Sequence, residues 1–208
     1  VLAIRGKVVP STVSNVHLVA EYEDGTKTEG EAKIPNVHSR IKHLFLTDEE
    51  ANPTNDALSA IEEADIIILG PGSLYTSVIP NLIIKGMSET IAKSSAFKIY
   101  VCNVMTQQGE TDRYTASEHV RAIVDHARKD VIDVCLINNN VKIPEEALAR
   151  YQEENSYPVV PDADKIRDMG YKIFATDLLG VTDYVRHDSH KLNKSLIKII
   201  ESHRVIKR

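Results

Sequence analysis

The chain is poor in the residues that would point to a metal cluster, a membrane or a nucleic acid. In 208 residues there are no tryptophans, three phenylalanines and two cysteines. Two thiols cannot build a cysteine-based metal cluster. Cys102 and Cys135 each lie inside an apolar run, "IYVCNV" and "VIDVCLI". Buried free thiols are therefore expected, which suits a reducing cytosol. No apolar run approaches the roughly 18 residues of a membrane helix, and no N-terminal signal pattern is visible. A cytoplasmic protein with no membrane partner is expected. The formal net charge of −5 has the wrong sign for a broad nucleic-acid-binding surface.

What is present is an ordinary globular composition, 42% hydrophobic and 26% charged. With no internal repeat and no low-complexity linker, one domain over residues 1–208 is expected. The opening "VLAIRGKVVP" has no Met and no leading turn. It reads as a start in the middle of a fold.

The chain then changes period. "VHLVAEYEDGTKTEGEAKI" alternates and carries Asp24-Gly25, the signal of a β-hairpin turn. Residues 41–47 form another short strand. Asn52-Pro53 is expected to cap and open a helix with Leu58, Ile61 and Ala64 on its apolar stripe. From Asp65 onward strands alternate with helices. The run 65–69, "FKIYVCNV" and "VIDVCLIN" are continuous apolar strands, expected to be buried on both sheet faces. "TASEHVRAIVDHARKD" is the clearest helix, with Thr115 and Glu118 as a capping box. A helix over 144–154, strands at "YPVV" and "YKIFATDL", and a last helix capped by Asp188 or Ser189 complete the pattern. The expected fold class is α/β: a Rossmann-like, doubly wound, mostly parallel sheet with an added antiparallel hairpin.

In open α/β sheets ligands bind beyond the carboxyl ends of the strands. After Leu69 comes Gly70-Pro71-Gly72-Ser73, followed by the hydroxyls of Tyr75, Thr76 and Ser77. Glycines admit a close approach, and the N–H groups after them can face an anion. No lysine of the P-loop type is present, so this is not a Walker A site. A phosphate loop and a plain tight turn both fit these residues. After the next strand, Asn103, Thr106, Gln107, Gly109, Glu110 and Thr111 lie in a polar loop longer than a simple connection needs. His119 and His126 are about 10 Å apart along their helix at 1.5 Å per residue, so one metal cannot take both. His126 reads as a flank of the core stripe, and His119 as either core or ligand-facing. In "DYVRHDSHK", Arg186 can meet a phosphate or stack on a base, or simply form a surface ion pair. The paired acids Glu49-Glu50 and Glu145-Glu146 complement helix dipoles. No catalytic residue and no metal ligand stands out.

Taken together, "GPGSLYTSVIPN", "VCNVMTQQGETDRYTASEHV" and "VRHDSHK" resemble the gluconeogenesis factor family, which belongs with the 2-phospho-L-lactate transferases in a CofD-like superfamily. The resemblance runs the length of the chain. It implies that roughly the first third of the family's chain, with its glycine-rich GGGTG, DDGGSSG and GHxxGN segments, precedes the point where this sequence starts. It also implies a Rossmann-like fold that binds a nucleotide sugar, UDP-N-acetylglucosamine. The expected role is regulation of gluconeogenic growth, cell-wall synthesis and cell shape in bacteria, as a homo-oligomer without nucleic acid. The transferase branch implies the alternative, transfer of a phosphorylated group, with Mg possible and no other cofactor expected. By resemblance Gly70, Pro71, Gly72 and Ser73 lie beside the ligand phosphates, with Tyr75 and Thr76 lining the approach. Asn103, Thr106, Gln107, Glu110 and Thr111 share that cleft, and Tyr151 and Arg186 hold the uridine nucleotide.

Overall fold

A computed structural model of the chain describes residues 6–37, 39–181 and 184–206. The first layer is an antiparallel sheet of β1 (Leu18–Tyr22), β2 (Lys27–Glu29) and β3 (Ile41–Leu46), ordered β2-β1-β3. The predicted hairpin is β1–β2, and β3 pairs antiparallel on the other side of β1.

Helix α1 (Asn55–Glu62) leads into the central sheet. Its cap is Thr54, whose side chain accepts from the Ala57 N–H, rather than the expected Asn52. Pro53 is instead bridged to Thr12, and Thr54 is tied to Ser11 and Pro10, so the helix cannot begin earlier.

The central sheet contains β4 (Ile66–Leu69), β5 (Phe97–Val101), β6 (Val134–Asn138) and β7 (Lys172–Thr176), all parallel and in that spatial order. Between them run α2 (Ile79–Leu82), α3 (Met87–Lys93), α4 (Ala116–His126), α5 (Glu145–Glu153) and α6 (Ala163–Asp168). A two-stranded antiparallel arm, β8 (Leu179–Val181) and β9 (Val185–His187), precedes α7 (Ser189–Ile206). Asp188 caps α7 by accepting from the Lys191 N–H. Arg186 lies inside β9; Asp183, from the same predicted motif, falls outside the described residues.

Alternation along the central strands sends side chains to opposite faces. Tyr100, Cys102, Cys135 and Ile137 pack with α1, α3, α4, α6 and the antiparallel layer. Ile99, Val101, Val134 and Leu136 pack with α5 and α7. Helices thus cover both faces, and β5 and β6 are buried throughout, as continuous apolar runs require. Each fully buried Ile or Leu contributes about 2–3 kcal/mol. The two thiols are free and buried, and desolvation pushes Cys102 up to about 12.

Two strand expectations need correction. Strand β4 is at the sheet edge, so Ile68 is 43% exposed rather than buried on both faces. "YPVV" forms no strand: Pro158 and Val160 make single bridges to Met105 and Thr115, clasping the loop after β5. Among the described residues, no helix is long and apolar enough to cross a membrane.

Candidate functional site

The loops leaving β4 and β5 meet the β8–β9 arm around a cleft of about 760 Å³ at the carboxyl edge of the sheet. Its walls hold Pro71, Gly72 and Ser73 from the first loop, Asn103, Thr106, Gln107 and Glu110 from the second, and Tyr151 and Arg186 opposite. The chain has no choice about its glycines here. Gly70 has φ +81°, and a Cβ there would sit 3.0 Å from the Val101 carbonyl oxygen. Gly109 has φ +75°, and a Cβ there would lie 1.9 Å from the Pro35 carbonyl oxygen. The antiparallel layer therefore touches the second loop directly.

The first loop runs into a π-helical turn, Leu74–Val78, a form that recurs at functional sites. Its donors do not face open space. The Ser73 hydroxyl lies 2.7 Å from both Glu110 carboxylate oxygens, the Tyr75 N–H donates to Oε2 at 3.2 Å, and the Thr76 hydroxyl lies 2.7 Å from the Ser73 oxygen and 3.1 Å from Oε1. Glu110 is only 5% exposed. Three of the groups expected to meet a ligand phosphate, the Ser73 and Thr76 hydroxyls and the Tyr75 N–H, thus meet the protein's own carboxylate.

Gly70, Tyr75, Thr76 and Thr111 lie off the cleft lining. Tyr75 is buried, with its hydroxyl 2.9 Å from that of Tyr114, and desolvation pushes it well above the usual phenol range. Thr111 is buried and accepts from the Gln107 N–H at 2.9 Å. Thr106 is nearly as buried, exchanging hydrogen bonds with the Tyr157 backbone at 2.7 and 2.9 Å. These side chains shape the loop because its backbone polar groups, once buried, need partners. Asn103 stays half-buried and donates to Gln107 at 3.4 Å.

The opposite wall is the arm. Asn138, at the end of β6, accepts from the Leu178 N–H, and the Asp188 N–H donates back to the Leu178 carbonyl. The Tyr151 hydroxyl donates to the Val185 carbonyl at 3.2 Å and accepts from its N–H at 2.9 Å. That pins β9 at the residue before Arg186. Arg186 is exposed, with its guanidinium 4.8 Å from the centre of the Tyr184 ring, and no carboxylate pairs with it among the described residues. His187 also lines the cleft. Its Nε2 lies 3.1 Å from the Cys102 carbonyl, and burial lowers its pKa. Nothing in the local sequence "VRHDSHK" shows that β9 turns His187 inward.

His119 does not face the cleft. It is fully buried, with Nδ1 2.9 Å from the Thr115 carbonyl, and desolvation holds its pKa below the usual range. His126 holds the antiparallel layer to α4: Nδ1–H donates to the Ala122 carbonyl and Nε2 accepts from the Leu44 N–H. Among the described residues, no three His, Cys, Asp or Glu side chains gather as a metal set.

The fold and the cleft define an α/β protein of the parallel-sheet type, with a cleft built by loops at the strand ends. The family described as 2-phospho-L-lactate transferase CofD matches residues 1–179, and the chain belongs to that family. It is 42% identical over 202 residues to the gluconeogenesis factor of Bacillus subtilis, covering 97% of this chain and 63% of that protein. It is also 42% identical to the gluconeogenesis factor of Halalkalibacterium halodurans, covering 95% of this chain and 62% of that one. A crystal structure of a UPF0052 family member from Bacillus halodurans superposes with a TM-score of 0.89 at 41% identity, over 93% of this chain and 62% of that one. The chain therefore spans somewhat less than two thirds of the length of these relatives.

Proposed function

We propose that the cleft binds a nucleotide sugar, with UDP-N-acetylglucosamine the expected ligand. The protein then serves as a cytoplasmic, homo-oligomeric regulatory factor for gluconeogenic growth, cell-wall synthesis and cell shape in bacteria. Two relatives named gluconeogenesis factor support the regulatory part. One observation carries the ligand class: Arg186, an exposed guanidinium without a carboxylate partner among the described residues, stands on a pinned strand at the rim of the cleft. A guanidinium so placed suits a phosphate or a base, and the Tyr151 ring beside it can stack. Calorimetric titration of UDP-N-acetylglucosamine into full-length protein tests the reading. Saturable heat that Arg186→Ala weakens supports it, and no heat with any UDP-sugar defeats it.

The match to a transferase family favours a second reading, transfer of a phosphorylated group. Such chemistry would want Mg²⁺ held by acids, and the described residues present no such set. Metal-dependent product formation from a nucleotide-activated donor, lost on changing Asn103, would replace the sensor reading with this one.

A further inference from the structure

The two walls of the cleft carry opposite charge. One presents the Arg186 guanidinium and the other the Glu110 carboxylate. Glu110 is nearly buried, and its partners are neutral: two hydroxyls and one backbone N–H. No lysine or arginine pairs with it among the described residues. A carboxylate has about four acceptor positions; the Ser73 hydroxyl and the Tyr75 N–H donate to it, and the Thr76 hydroxyl, 2.7 Å from the Ser73 oxygen and 3.1 Å from Oε1, divides its one proton between the two. That leaves acceptor capacity on a residue that lines the cleft. A phosphate brought there would meet a like charge in a partly desolvated site, where repulsion is strong. A hydroxyl or amide N–H would instead find a held acceptor.

We infer that Glu110 is a specificity residue that reserves the glycine-loop end of the cleft for a neutral, donor-rich group. A polyhydroxylated sugar has that chemistry. The anionic part of the ligand then lies toward Arg186. The Ser73, Tyr75 and Thr76 donors are a cradle for Glu110 and fix its orientation, so they act through it. This assignment rests on the nucleotide-sugar reading and adds a direction to it: sugar toward β4, nucleotide toward β9.

The test compares UDP and UDP-N-acetylglucosamine on full-length wild type, Glu110→Gln and Glu110→Asp by calorimetry. UDP alone reads the Arg186 end, whereas the ratio of the two affinities reads Glu110. The expected result is that Glu110→Gln binds UDP at least as tightly as wild type and loses about tenfold of the preference for the sugar-bearing ligand, the scale of one hydrogen bond to a charged group. Glu110→Asp, which keeps the charge and withdraws it by one methylene, should keep UDP affinity and lose part of the preference. An unchanged ratio in both variants, or equal weakening of UDP and UDP-sugar, overturns the inference. If wild type binds neither ligand, the nucleotide-sugar reading fails by itself. Inorganic pyrophosphate then decides the remaining claim: binding gained by Glu110→Gln and absent in wild type supports a carboxylate that keeps anions off the loop, and equal behaviour refutes it.

Discussion

At the glycine-loop end of the cleft, Glu110 and the Ser73, Tyr75 and Thr76 donors hold one another, whereas at the β9 end the exposed Arg186 has no carboxylate partner among the described residues. Glu110 is buried beneath Ser73, Tyr75 and Thr76, and Gly109 is pressed against Pro35. Arg186 projects from a three-residue strand paired to β8 and pinned by the Tyr151 hydroxyl. The first end is part of the core and cannot move without cost. The second is cheap to change for stability and expensive to change for a charged ligand. A rigid wall that sets shape and a cation with no carboxylate partner among the described residues make a division of labour suited to binding.

The sharpest way to break the rigid end is Gly109→Ala. A Cβ 1.9 Å from the Pro35 carbonyl oxygen, at φ +75°, forces the second loop off the antiparallel layer. Urea unfolding should show a loss of about 3 kcal/mol or more, or no folded protein. A loss under about 1 kcal/mol would mean the contact yields easily.

Acid should act next, and mainly behind the rigid end. Burial lowers the pKa of His119, His126 and His187 in the folded protein. The unfolded chain therefore takes up these protons first as pH drops below about 6.5. The stability they contribute is present above that pH and is lost as pH falls toward the folded values. Thermal melts between pH 7 and 5 should show a loss on the order of 1 kcal/mol or more. A His126→Gln variant should lose less over the same window, and an identical slope would remove His126 from the account.

Tyr151→Phe tests the thin end. It removes the hydroxyl that both donates to and accepts from Val185. A stability loss of about 1 kcal/mol is expected, with weaker UDP binding because Arg186 is no longer held. Stability lost without any change in UDP affinity would separate the pin from the site.

Arg186→Ala should have the smallest effect on stability, within about 0.5 kcal/mol for an exposed side chain. Its effect on UDP affinity should nevertheless be about tenfold or more, as for a charge-assisted contact to phosphate. A variant that melts early would show that the arm depends on Arg186 and would blur the contrast between the two ends.

Much of this molecule follows from local pattern. The continuous apolar runs of β5 and β6, the capping box of α4 and the Asp24-Gly25 hairpin are consequences of side-chain period and turn chemistry. So is the placing of polar loops after the parallel strands, and with it the region of the cleft. Local pattern did not reveal that β4 lies at an edge, because an apolar run reads the same whether one or two strands flank it. The cap of α1 moved to Thr54 for a similar reason: its partners, Ser11 and Pro10, are distant in sequence.

The division is clearest at the opening loop. Gly70-Pro71-Gly72-Ser73 is legible in the sequence as a tight exit from a strand, carrying donors that suit either an anion or a plain turn. What the donors meet is a matter of tertiary structure. Glu110, far along the chain, swings beneath them because Gly109 docks on Pro35 and Thr106 is clasped by Tyr157. Loop chemistry is written within a few residues, whereas the charge that faces it depends on how separate loops are brought together.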